Sequence, residues 1–120
     1  FTAKATAKTA PDNTKDDVVP WVPGTDEEPT KGSDNKTIPS DYITVTFKSE
    51  DETKGKVKVG DKTAKEVKAK VKPGTDLSKV KVKGKDEALI QAVPEKGYGS
   101  VWDPALGVAQ ADKTYTAKFI

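Results

Sequence analysis

The sequence has no cysteine, no methionine and no histidine. Those absences remove disulfides, thiol and imidazole catalysis, and the Cys/His sites that hold zinc. Arginine is missing too, all 21 basic residues being lysine, so the planar fork that grips phosphates bidentately is lacking. Apolar residues of the AVILMFWYC class make up 33% and charged residues another 33%, against about 45–50% (counting Gly) and about 25% in an ordinary globular domain. With 19 carboxylates the net charge is only +2, and no global field draws the chain to nucleic acid or into a membrane. A chain of 120 residues holds one small core, and neither an enzyme nor a bound cofactor is expected.

What is present divides near residue 41. Before it, Leu, Ile, Val and Phe number five in 41 residues, and five Lys meet eight acids. From Tyr42 onward the same apolar types number 18 in 79, with 16 Lys and 11 acids. Only the second part carries enough apolar side chain to offset its ordering entropy, so the folded domain is expected over 42–120. Pro11, Pro20, Pro23, Pro29 and Pro39, set among Asp, Glu, Thr, Gly and Ser, favour extended unpaired backbone, and 7–41 reads as a linker. The island Val18-Val19-Pro20-Trp21-Val22-Pro23 stands out within it. Val19, Trp21 and Val22 either dock on a neighbouring surface or stay exposed.

Phe1-Thr2-Ala3-Lys4 nearly repeats Tyr115-Thr116-Ala117-Lys118 at a separation of 114 residues (115 − 1). A fixed-period echo of this kind reads as a tandem array, with 1–6 the final strand of a preceding unit.

Within 42–120 the hydrophobic period is two. Ile43, Val45 and Phe47 share one face of a strand over Tyr42 to Lys48, and Tyr115, Ala117 and Phe119 share one over the last seven residues. Lys56-Val57-Lys58-Val59 and Glu66-Val67-Lys68-Ala69-Lys70-Val71-Lys72 alternate with lysine outside, and Gly60-Asp61-Lys62 between them predicts a turn and an antiparallel meander. After Pro73-Gly74, Thr75 or Asp76 is placed to cap a short helix through Leu77, Ser78, Lys79 and Val80. Ala88 to Val93 and Tyr98 to Trp102 read as further strands, the second bent by its glycines. The sum is an α+β domain, a small antiparallel sheet with one short helix; an all-β sandwich is the alternative. Its expected core is Ile43, Val45, Phe47, Val67, Val71, Leu77, Trp102, Tyr115 and Phe119.

In order, Tyr42-Ile43-Thr44-Val45-Thr46-Phe47, Val71-Lys72-Pro73-Gly74-Thr75-Asp76-Leu77, Gly97-Tyr98 with Trp102, and Thr114-Tyr115-Thr116-Ala117-Lys118-Phe119 resemble the landmarks of the Listeria-Bacteroides repeat, the internalin B-type repeat of Gram-positive surface proteins. The resemblance spans about 42–120. It departs at Gly99-Ser100-Val101, where an aromatic plus Gly is usual, and by extra residues from Lys81 to Glu87. It implies a β-grasp-like module, repeated along a secreted, wall-attached stalk or adhesin at the cell surface, that spaces or presents rather than catalyses. Neighbouring repeats of the same chain are then its first partners.

Twelve Lys and three acids lie between Lys54 and Lys85. If Lys56, Lys58, Lys68, Lys70, Lys72, Lys81 and Lys83 shared one sheet face, they could hold an anionic wall or host glycan or a host protein by counterion release. No aromatics are interleaved with them, and alternating lysine on strands more often keeps a face solvated and its edges unpaired. The acidic runs Asp16-Asp17 and Asp26-Glu27-Glu28 match no calcium loop, and no metal is expected. Asn13 and Asn35 are the only asparagines, which leaves the domain without the Asn half of a Lys–Asn crosslink.

Overall fold

A computed structural model describes residues 13–120; the expected strand over 1–6 lies outside the described residues. Ten strands succeed one another in chain order: β1 (Val18–Trp21), β2 (Ile43–Ser49), β3 (Gly55–Val59), β4 (Lys62–Ala64), β5 (Glu66–Val71), β6 (Thr75–Asp76), β7 (Ile90–Pro94), β8 (Ser100–Asp103), β9 (Val108–Ala109) and β10 (Lys113–Phe119). Five of them make the main sheet, in the order β1-β5-β2-β10-β8. β2 and β10 run parallel, Tyr115 beside Phe47, and the other neighbours are antiparallel. A second sheet, β4-β3-β7, and a ribbon, β6-β9, complete the fold.

Alternation decides what is buried. Val45 and Phe47 of β2, Val67, Ala69 and Val71 of β5, and Tyr115, Ala117 and Phe119 of β10 point inward from the main sheet. Val57 and Val59 of β3 and Ile90 of β7 meet them from the smaller sheet, with Leu77 and Ala109 closing one side. Ile43 and Trp102 are half-buried against this cluster. Phe47 stacks on Tyr115 at 5.8 Å and 15°, and Trp102 meets Phe47 edge-on at 5.8 Å and 77°, both favoured arrangements for aromatic pairs. Gly55 opens β3 because a Cβ there would lie 2.5 Å from the Phe119 ring and 2.8 Å from the Val93 carbonyl.

The α+β expectation is overturned. Among the described residues there is no helix, so none long and apolar enough to cross a membrane; the fold is the all-β sandwich. At the expected helix, the Asp76 carboxylate accepts from Ser78 N (3.0 Å) and Ser78 Oγ (2.6 Å), as a capping residue would. Lys79 N and Val80 N both donate to the Asp76 carbonyl at 3.1 Å, closing one turn. The turn does not propagate. Thr75 and Asp76 already pair with β9, and the Val80 carbonyl accepts from Leu89 N at 3.0 Å while Lys81 bridges Ala88. One turn fixes several dihedrals for few hydrogen bonds, and β-branched Val80 and Val82 favour the extended alternative.

The expected meander also differs. β3 pairs with β4 across Gly60 and Asp61, whereas β5 leaves at Lys65 and joins β2 and β1 in the other sheet. Ser49 N donates to the Lys65 carbonyl at 2.8 Å and pins that corner. Paired in one sheet, the valines of β3 and β5 would have lined the same face; split between sheets, they cover each other across the core.

Candidate functional surfaces

The stretch expected as linker contains β1. Val18 and Pro20 pair with Val71 and Ala69, and Val19 and Trp21 with Lys70 and Lys68. Paired residues share a face, so Val18 joins the core while Val19 and Trp21 lie on the outer face of the main sheet. They are nonetheless only 8% and 6% exposed, because residues 23–41 fold back over them as a strap. Glu28 reaches Lys70 at 2.6 Å, with the Lys70 ammonium 5.8 Å from the centre of the Trp21 ring. Asp26 accepts from Val22 N at 2.9 Å and meets Lys62 at 3.3 Å. The Val22 N–H first, and Lys62 second, hold the Asp26 carboxyl below the ordinary carboxylate range.

A second anchor lies where the strap meets residues 13–16. Asp34 accepts from Thr14 Oγ1 (2.8 Å), Lys15 N (3.0 Å) and Lys36 N (3.1 Å), and the Lys15 N–H is the main reason its carboxyl titrates low. Asp16 accepts from Ser33 N at 2.6 Å, and Tyr42 donates its hydroxyl to the Asp16 carbonyl at 2.8 Å. Burial, then the charges of Asp17, Asp41 and Asp16, push the Tyr42 phenol above its usual value. Gly32 is required here: a Cβ would sit 2.0 Å from Thr14 Oγ1. Thr14, Asp34 and Gly32 were not singled out from the sequence. Their signal was the turn chemistry of Gly32-Ser33-Asp34-Asn35, where Asn35 adopts a left-handed φ of 62°.

The seven candidate lysines do not gather. Lys56 and Lys58 lie on the outer side of the small sheet, Lys68 and Lys70 on the opposite outer side of the main sheet, Lys72 just past β5, and Lys81 and Lys83 in the loop before β7. Three are paired already: Lys58 with Glu87 (3.4 Å), Lys70 with Glu28, and Lys81 with Asp86 (2.7 Å). An open groove of about 640 Å³ runs along the free edge of β1, between the strap and the loop before β7. Lys15, Lys31, Lys81 and Lys83 line it together with Asp16, Asp17 and Asp61 over a floor that includes Val18, Val80 and Leu89. Mixed charge makes this groove a poor attractor for a polyanion.

The two ends of the described residues are the clearer geometric feature. Val18, Val71 and Ile43 lie side by side at one end of the main sheet, and β10 passes Ser49 at the other. β1, β2 and β10 therefore all run the same way. Asn13, bridged to Thr37, and Ile120, paired with Gly99 by N–H donations in both directions (2.9 and 3.1 Å), lie beyond opposite ends of the strands. No family model, no curated protein and no solved structure matches this chain.

Proposed function

We propose that the chain is a non-catalytic structural unit, a stalk or spacer repeated along a secreted, wall-attached adhesin-type protein of a Gram-positive surface. The observation that carries this reading is the direction of the terminal strands: chain arrives at one end of the sandwich and departs from the other, as serial threading of units requires. The 114-residue echo between Phe1-Thr2-Ala3-Lys4 and Tyr115-Thr116-Ala117-Lys118 supports repetition, and so does the resemblance to a surface-protein repeat. On this reading 1–6 completes an upstream unit.

Tandem chains of one, two and four copies of residues 7–120 test this by small-angle X-ray scattering. The maximum dimension should grow by a constant increment, about one domain length, per added copy. Units that stack side by side, so that the dimension stalls, would overturn the reading.

A further inference from the structure

The same strand directions have a mechanical consequence, which rests on the stalk reading only for the source of the tension. When chain upstream of β1 and chain downstream of β10 are pulled apart, the pull runs along the strands. Ladder hydrogen bonds lie across the strands, so each loaded pair must shear as a set rather than unzip one rung at a time. The route crosses from β1 to β5, from β5 to β2, and from β2 to β10. Its pairs are unequal: β1 meets β5 over four residue pairs, β5 meets β2 over six, and β2 meets β10 over five, with β8 holding the far side of β10 over four more.

The short pair is also the one whose loss costs the core least. Val18 is the only buried residue of β1 in the main cluster, and Val19 and Trp21 lie outside it. The strap covers Val19 and Trp21 but adds none of its own residues to the main cluster, and its other ties include Asp26 to Lys62 and Glu28 to Lys70 near solvent, with Glu28 60% exposed. Ion pairs of that kind contribute little. Once β1 lets go, the pull falls on Ile43 at the start of β2 and on Phe119 at the end of β10. These adjacent parallel strands then face direct shear, with Phe47, Tyr115 and Trp102 packed together behind them.

We infer that the domain is a two-stage extensible element. Residues 13–42 release first under tension, while the β5-β2-β10-β8 sheet and its partner sheet stay folded and fail only at higher load. The first stage frees about 30 residues, roughly 100 Å of chain at 3.3–3.6 Å per residue, less the distance they span when folded. The second frees residues 43–119, roughly 250–280 Å on the same scale. Release also uncovers Val19, Trp21 and the outer face of β5.

Single-molecule stretching of the full chain between handle domains reads this directly. Two steps per domain are expected, the short one at lower force, and Trp21→Ala should lower the force of the short step alone. The chain has no native cysteine, so the double variant Val18→Cys, Val71→Cys can lock β1 to β5 at a directly opposed pair. Oxidation should abolish the short step and reduction restore it. A single step spanning the whole domain, a long step preceding the short one, or a short step unaffected by the lock would each overturn the inference. None of these outcomes bears on how tandem units are spaced, so the stalk reading stands or falls separately.

Discussion

The inner strands β2, β5 and β10 and the strap over 23–41 are held by different physics. The inner strands bury one apolar side chain at every second position, Val45 and Phe47 against Val67, Ala69 and Tyr115, all at most 1% exposed. The strap covers one apolar anchor, Trp21 with Val19, and apart from the Thr14 N–H donation to the Thr37 carbonyl at 2.7 Å its ties to its neighbours run largely through carboxylates: Asp16 and Asp34 to backbone N–H groups, Asp26 and Glu28 to lysines. Burial is indifferent to pH and weakly affected by salt, whereas hydrogen bonds and ion pairs made by carboxylates respond to both. One small domain thus holds a robust part and a conditional part in sequence along the chain.

The largest test of that contrast is Phe47→Ala. It removes the ring between Tyr115 and Trp102 and should cost about 3–5 kcal/mol, seen as a lower denaturant midpoint for the whole domain. Loss confined to the strap would show that Phe47 does not unify the core. Gly32→Ala should act on the other part. Its Cβ has no room beside Thr14 Oγ1, and relieving such a clash typically costs about 1–3 kcal/mol. Faster amide exchange at Lys15 and Ser33 with unchanged protection in β2 and β10 is the expected pattern; uniform loss would merge the two regions.

Acid gives the smallest effect. The carboxyls of Asp34 and Asp26 titrate below their ordinary value of 3.8 in the folded state. Their contribution is therefore complete above that value and fades as pH falls through and below it. As pH falls through 3.8 and below, Trp21 emission should shift to the red before near-ultraviolet dichroism from the Phe47, Tyr115 and Trp102 cluster is lost. Coincident transitions would mean that the carboxylate anchors do not set the strap apart.

The inward and outward sides of β2, β3, β5 and β10 were legible because a strand fixes side-chain direction with a period of two. The Asp76 turn was legible as a cap but not as a non-helical one, because a capped turn grows into a helix only where no partner strand competes for its backbone, and here Leu89 and Gly107 to Ala109 compete. Composition drew a boundary at residue 41 across a chain whose Val18–Trp21 segment forms an edge strand. Four residues shift an average too little to be noticed, while Val18 and Trp21 each fill a specific place. Pro20 fits there because the Lys72 N–H donation to the Asp17 carbonyl puts positions 18 and 20 facing away from β5, toward the open edge, where a missing N–H is harmless.

The lysines show the same divide. Alternation placed Lys56, Lys58, Lys68 and Lys70 outward, and could not say that the outward side of β3 and the outward side of β5 are opposite surfaces of one sandwich. By itself the sequence determined which side chains avoid water, since that comes from local geometry and the cost of exposing apolar surface. Only the tertiary structure decided which sheet each strand joined, that β10 would lie parallel beside β2, and that β1 would enter at one end of the sandwich and β10 leave at the other. Those choices are settled by which pairings cover the most apolar surface at once, a property of the assembled core that no single segment carries.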